Sequence, residues 1–145
     1  MYDIYLKDIT LIKNQRKLLA DINAHFPRNK TTVIIGPSGS GKSTLLKVAA
    51  ALLPIDSGSV LLNDKNLKKL KSPDILEFRK NSSFVFQDAA LWANESVYRN
   101  LILPLNLHYS GLSNKDKDQR IKEILEKVGY TDSLTLRPAA LSNGE

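Results

Sequence analysis

Cysteine is absent from the 145 residues, which removes disulfide scaffolds, thiolate zinc sites and thiol nucleophiles together and fits a reducing compartment. Methionine and tryptophan occur once each. No run approaches the roughly 18 consecutive apolar residues that a spanning helix needs. The opening Met1-Tyr2-Asp3-Ile4 has neither the basic segment nor the apolar core of a secretory leader. A soluble, cytoplasmic chain is therefore expected. Repeats and low-complexity tracts are lacking as well. What is present is ordinary for a globular chain: 42% hydrophobic and 25% charged residues, with a formal net charge of +6. That charge permits an anionic partner without requiring one. The length suits one domain, or a lobe and a half of a larger one.

Along the chain, the first 35 positions read as strands. Tyr2, Ile4 and Leu6 alternate with polar residues, as do Leu18, Ala20, Ile22 and Ala24, around a polar turn at Lys13-Asn14-Gln15-Arg16-Lys17. Thr31-Thr32-Val33-Ile34-Ile35 is β-branched throughout and reads as a strand buried on both faces of a parallel sheet. A helix is expected from about Lys42 to Leu52, then a strand at Ser59–Leu62 closed by Asn63-Asp64. A helix over Pro73–Lys80 and a strand at Ser83–Gln87 follow. From Asp88 the pattern turns helical. Ser113-Asn114-Lys115-Asp116 resembles a capping box, Ile121, Ile124, Leu125 and Val128 follow at helical spacing, and Gly129 ends the run. The alternating charges Lys115, Asp116, Lys117, Asp118, Lys122, Glu123, Glu126 and Lys127 read as an exposed helix face.

The strongest chemical signal is Gly36-Pro37-Ser38-Gly39-Ser40-Gly41-Lys42-Ser43, which satisfies G-x-x-x-x-G-K-[ST] at every fixed position. Glycines let successive backbone N–H groups point into one concavity around phosphate oxygens, and the helix that follows adds its own unpaired N–H groups and positive dipole end. Lys42 can reach the β- and γ-phosphates, the Ser43 hydroxyl can ligate Mg²⁺, and Thr44 is placed to bond another phosphate. An ordinary Gly/Ser turn before a helix would not need the strand-type run ahead of it. Elsewhere the signals are weak. Lys65, Lys68, Lys69 and Lys71 are broken by leucines and lack interleaved aromatics, which favours a solvated face over nucleic-acid contact. His25 and His108 have no ligand-like spacing and read as structural.

Four ordered segments resemble the ATP-binding-cassette (ABC) transporter ATPases. They are Leu18–Ile22 leading to Ile34–Leu46, Leu53-Pro54-Ile55-Asp56-Ser57-Gly58-Ser59-Val60, Phe84-Val85-Phe86-Gln87 as a Q-loop, and Leu141-Ser142-Asn143-Gly144-Glu145 as the LSGGQ signature. The resemblance implies an α/β P-loop NTPase core with an antiparallel β start and a following helical subdomain. The core would span residues 1–87 and the subdomain 88–145, with the sheet incomplete because the chain stops at the signature. It assigns Gly36, Pro37, Ser38, Gly39, Ser40, Gly41, Lys42, Ser43 and Thr44 to ATP. Lys42 and Gln87 become catalytic residues, and Ser43 and Gln87 become Mg²⁺ ligands. Ser142, Asn143 and Gly144 would cap the γ-phosphate held by a second ATPase subunit, a homodimer being expected. A membrane transporter subunit would dock on Asp88–Leu105, with Leu91, Trp92 and Tyr98 as anchors, placing the protein on the inner face of the cell membrane. The wording of that segment is most similar to ATPases of Mla/Mce-type lipid import systems.

Three departures stand against the pattern. The family's base-stacking aromatic falls near Ile12 and Lys13 here, with Tyr5 out of register, so aliphatic packing or Lys13 over the ring would have to serve. The signature reads LSNGE rather than LSGGQ. The family's later Asp, general-base Glu and sensing His do not occur, so binding of ATP without efficient hydrolysis is expected of these 145 residues by themselves. The competing readings are a truncated, non-hydrolysing nucleotide-binding fragment and a P-loop nucleotide kinase with Asp88 assisting Mg²⁺. The kinase lacks an arginine-rich lid.

Overall fold

The computed structural model describes residues 2–87 and 90–142. They fall into two compact units, Met1–Phe84 and Val85–Glu145, and each is described by itself.

The first unit is built on a four-stranded antiparallel sheet of order β2-β1-β3-β4, with β1 at Ile4–Lys13, β2 at Arg16–Phe26, β3 at Ser57–Leu62 and β4 at Lys65–Asn66. Two polar dipeptides make its hairpins. Asn14 and Gln15 have φ of 50° and 62°, and Asn63 and Asp64 have 46° and 66°, the left-handed pair that a two-residue connection between twisted strands requires. The β1–β2 register shifts between Leu6 and Ile9 and again further on. Asp8 takes φ 52° and Asp21 φ 49° at these irregularities, and side chains replace the lost ladder bonds. Asp8 N–H donates to Asn23 Oδ1 at 3.0 Å while Asn23 Nδ2 donates to Asp8 Oδ1 at 2.9 Å. Thr10 Oγ1 donates to Asp21 Oδ1 and accepts from Asp21 N–H, both at 3.3 Å. Gly58 crosses this point with φ +89°, and a Cβ there would overlap the carbonyl oxygens of Lys7 and Asp8.

The shifts change which side chains face inward. Leu6 and Ile9 are both fully buried, and on β2 it is Leu19 that is buried while Ala20 is exposed. The expected alternation holds at Ile22 and Ala24, which pack half-buried against the core, and is corrected at Ala20, whose place inside is taken by Leu19. Helix α1, Lys42–Ala49, lays Val48 and Ala49 on this sheet, and Phe78 of helix α2, Ser72–Lys80, completes the core with Val60 and Leu62. A Tyr2 ring meets Phe78 edge-on at 5.1 Å between centroids. Between β4 and α2, a 3-10 turn at Leu67–Lys69 turns Leu67 and Leu70 toward the core and leaves Lys65, Lys68, Lys69 and Lys71 exposed.

Two expected strands are not strands. Residues 31–35 pair with no neighbour among the described residues, and Val33 and Ile35 are 73% and 90% exposed. The Ser83–Gln87 segment is likewise irregular, with Val85 91% exposed. A β-branched run shows an appetite for burial, but a strand exists only where a second one supplies the ladder. Helix α1 also ends earlier than Leu52, at Ala49.

The second unit pairs helix α3, Val97–His108, with helix α4, Asn114–Val128. Ser96 and Ser113 cap them by accepting N–H bonds from Arg99 and Asp116 at 3.2 Å each, and Ser113 Oγ also donates to Asp116 Oδ2 at 2.7 Å. Gly129, at φ 71°, closes α4. Ile121 is buried and Leu125 half-buried, but Ile124 and Val128 remain exposed. Lys117 corrects the expected charged face: it is buried, with its ammonium donating to Asn106 Oδ1 of α3 at 2.9 Å. It lies one turn before Ile121 and shares that residue's inward direction.

Candidate functional site

The glycine-rich segment 36–41 leaves the exposed run at Ile35 and feeds directly into α1, with Gly41 as the helix N-cap residue at φ 90° and ψ 6°. A side chain at Gly41 is excluded twice over. Its φ is left-handed, and a Cβ would stand 3.0 Å from the Leu18 carbonyl oxygen and 3.2 Å from Leu19 Cδ2. The loop is therefore pressed onto β2, and the start of α1 inherits a fixed position from the sheet.

Unlike α3 and α4, α1 has no side-chain cap, and unlike α4 it has no acidic residue in its first turn. The unpaired N–H groups of that turn, with the positive end of the helix dipole, face the place where the loop curls. A Ser40 N–H bond to the Pro37 carbonyl at 3.3 Å closes the curl. Lys42 folds back over it, its ammonium donating to the carbonyls of Gly36 at 2.9 Å and Pro37 at 2.7 Å. Lysine has three protons to donate, so this cation is oriented by two loop carbonyls with a third donor in reserve. Ser43 is exposed and Thr44 half-buried on the same turn. Backbone donors, one oriented ammonium and two hydroxyls can hold a polyanion.

The oxygen chemistry also suits a hard divalent ion carried by that anion, because Ser43 offers a hydroxyl and Mg²⁺ is held mainly by phosphate oxygens and water with few protein ligands. No cluster of three or more His, Cys, Asp or Glu side chains capable of holding a metal occurs among the described residues.

Beside α1 lies an open hollow of about 490 Å³, walled by Leu11, Ile12, Lys13 and Leu18 of the first hairpin and by Leu53, Pro54, Ile55 and Asp56 of the loop before β3. Ser43, Thr44 and Lys47 of α1 border it on the remaining side. Its size is within the range of small-molecule sites. Asp56 ties its two walls together: Ile12 N–H donates to Asp56 Oδ2 at 2.7 Å, and Asp56 N–H donates to the Thr10 carbonyl at 3.1 Å. Neither Asp56 nor the 53–55 wall stands out in the sequence as a site, since the contact joins positions 44 apart. Tyr5 is elsewhere, stacked on His25 at 3.9 Å.

The remaining expected site residues belong to the second unit. Gln87 and Ser142 are both exposed there, while Asp88, Asn143, Gly144 and Glu145 lie outside the described residues. Of the expected docking anchors, Leu91 and Trp92 are 43% and 59% exposed. The Asn100 amide holds their loop, accepting from Trp92 N–H at 2.8 Å and donating to the carbonyl oxygens of Trp92 and Ser96. Tyr98 is committed inside the unit, its hydroxyl donating to Asp118 Oδ1 at 2.8 Å. That bond to a carboxylate raises the phenol's pKa above its ordinary value. No helix among the described residues is long and apolar enough to cross a membrane.

Comparison with known proteins agrees with this geometry. A family model described as ABC transporter matches residues 19–145. The methionine import ATP-binding protein MetN of Clostridium acetobutylicum is 34% identical over 98% of this chain and 44% of its own length. MetN 1 of Yersinia pestis bv. Antiqua is 37% identical over 88% of this chain and 36% of its own. The chain thus spans less than half the length of these relatives. Among solved structures, the dimeric post-hydrolysis state of the ATP-binding cassette MJ0796 bound to ADP and Pi superposes with a TM-score of 0.83 at 26% identity, covering 97% of this chain and 63% of that one. The cbiO1 protein of Clostridium perfringens, part of the transporter complex cbiONQ, gives a TM-score of 0.71 at 25% identity. With its phosphate loop seated on an antiparallel sheet, the chain belongs to the ABC transporter ATPase family.

Proposed function

We propose that residues 36–44 bind the triphosphate of ATP and that, within a longer protein, this binding drives an ABC transporter. The observation that carries the reading is the Lys42 ammonium, oriented by the Gly36 and Pro37 carbonyls across an uncapped helix start. The backbone N–H groups of Ser38, Gly39 and Gly41 would serve as donors within the 36–41 segment, Lys42 would meet the β- and γ-phosphates, and Thr44 would add a hydroxyl. Ser43 would ligate the accompanying Mg²⁺, and Gln87 would join that ion and the attacking water, as the family resemblance assigns. Ser142, Asn143 and Gly144 would cap the nucleotide of a second subunit. The dimeric form of the MJ0796 relative supports such a pairing.

Hydrolysis belongs to the longer protein in this proposal; residues 36–44 supply binding donors and carry no carboxylate or imidazole of their own. The described chain binds nucleotide and turns it over poorly. The exposed Leu91 and Trp92 support docking of a membrane subunit on the 88–105 segment, which would hold the protein at the inner face of the cell membrane. The named relatives are methionine import ATP-binding proteins, which favours that cargo class over the lipid import suggested by the short 88–105 resemblance. A nucleotide kinase is not favoured.

Replacing Lys42 with Ala removes the oriented cation, and a loss of ATP affinity of at least about a hundredfold is expected, on the order of 3 kcal/mol for a charged hydrogen-bonding group. Equilibrium titration with a fluorescent ATP analogue measures it. Unchanged affinity would refute the proposal.

A further inference from the structure

We propose that the lysines between β4 and α2 form a contact surface for the anionic headgroups of a lipid bilayer. Convergence is the first argument. Lys65, Lys69 and Lys71 line one open hollow of about 730 Å³, with Asp64 and Asp74 on the same rim, and no residue of 36–44 takes part in it. Lys68 stands on the intervening turn, and all four lysines are exposed. Among the described residues no ion pair joins any of the four to a carboxylate. Their charge is open to an anion from outside.

The backbone that carries these cations is the second. Leu67 and Leu70 pack against the core of the first unit, which leaves Lys68 and Lys69 between them on the solvent side. Asn66 caps the turn, its Oδ1 accepting Lys68 N–H at 2.9 Å, and Leu70 N–H donates to Leu67 O at 3.2 Å. Lys65 is held by the hairpin, opposite Leu62 of β3. Lys71 is the N-cap residue of α2, with its carbonyl accepting Ile75 N–H at 3.1 Å. Binding therefore has to order only the ends of four side chains, with their backbone already in place.

Third, the chemistry of the patch suits a bilayer better than other polyanions. Lysine is a point charge on a flexible stem, which matches phosphates that diffuse in a fluid layer. Arginine, whose planar fork suits fixed bidentate contacts, does not line the hollow. No aromatic ring lines it either, so the stacking on which single-stranded nucleic acid relies is missing. Residues 64–80 carry six basic and three acidic side chains. Near an anionic leaflet, each lysine is worth about fivefold in partition. Asp64 and Asp74 oppose that attraction, so the contact is weak alone and adds most where a second tether already holds the protein at the membrane.

The test is co-sedimentation with vesicles of phosphatidylcholine alone or mixed with phosphatidylserine, without nucleotide and at about 0.1 M salt, where exposed charges more than about 10 Å apart are screened. The chain should sediment with the mixed vesicles only, and should be released as salt rises to about 0.5 M. Combining Lys65→Gln, Lys69→Gln and Lys71→Gln should weaken vesicle binding at least about tenfold, with ATP affinity unchanged in a separate titration. Lys115→Gln, Lys122→Gln and Lys127→Gln together remove the same charge from exposed positions of α4, and should cost less than about twofold. Arginine at the three patch positions keeps the charge and should hold binding within about twofold, because a fluid layer asks for charge and not for one geometry. No binding to mixed vesicles, equal binding to neutral ones, or equal losses in the patch and α4 variants would overturn the proposal. So would a patch variant that keeps its vesicle binding and loses affinity for duplex DNA, which would give the surface to nucleic acid. None of these results touches the phosphate loop, whose own test is the ATP titration.

Discussion

Single side chains carry several of the contacts that matter. Asp3 accepts a hydrogen bond from Arg28 N–H at 2.8 Å, and its carboxylate meets His25 Nε2 at 3.1 Å. The backbone bond first, and then the His25 contact, hold its pKa below the usual 3.8. A carboxyl depressed on folding stabilises fully above its unfolded pKa, and that contribution drains away as pH falls through the lower folded value. Below about pH 4, therefore, the thermal midpoint of the parent protein should fall more steeply than that of Asp3→Asn, followed by circular dichroism; parallel curves would dismiss the linkage. At this scale the sequence is uneven evidence. The glycine-rich segment 36–44 stands out in the sequence because the roles proposed for it fall on consecutive residues at a fixed spacing. Asp56 does not, because its partner is created only when the loop before β3 reaches the end of β1.

Among the secondary elements, helix ends show how far local pattern reaches. Ser113 and Gly129 bracket α4 as their residue types require. Helix α1 instead stops without a glycine: Ala51 adopts φ 57°, with Leu52 N–H reaching Lys47 O at 2.8 Å and Ala51 N–H reaching Val48 O at 3.0 Å. This is a Schellman closure with alanine in the left-handed position. Replacing Ala51 with Gly should relieve that conformation and stabilise the first unit by about 1 kcal/mol, read as a raised urea midpoint. The end of α1 at Ala49 is not legible in the sequence because nothing local marks alanine as a terminator. Strands fail differently. Residues 31–35 have every intrinsic mark of a buried strand, yet pairing is a property of two segments, and the described chain offers no second one. Lys117 shows the same limit on a helix, since alternating charge cannot reveal which lysine finds an amide on the neighbouring helix.

For the molecule as a whole, the exposed apolar side chains of Val33, Ile35 and Val85 are the chief liability of this chain in solution. Ile35→Lys should leave stability within about 0.5 kcal/mol, since a 90% exposed side chain contributes little to a core, while lowering self-association measured by light scattering. The overall class, an antiparallel start, a phosphate loop and then helices, was readable because those patterns are local and ordered. The packing of the hairpin was not, because a paired irregularity leaves no fixed signature in composition. That irregularity reaches further than the core. By spending one extra position near Asp8, the hairpin reverses its inside-outside parity midway, so Leu6 and Ile9 can both point inward while Leu11 and Ile12 arrive at the hollow. Deleting a single residue there would act as a three-dimensional frameshift: every side chain beyond it would change sides, and the cradle's neighbour would be remade from residues now facing solvent.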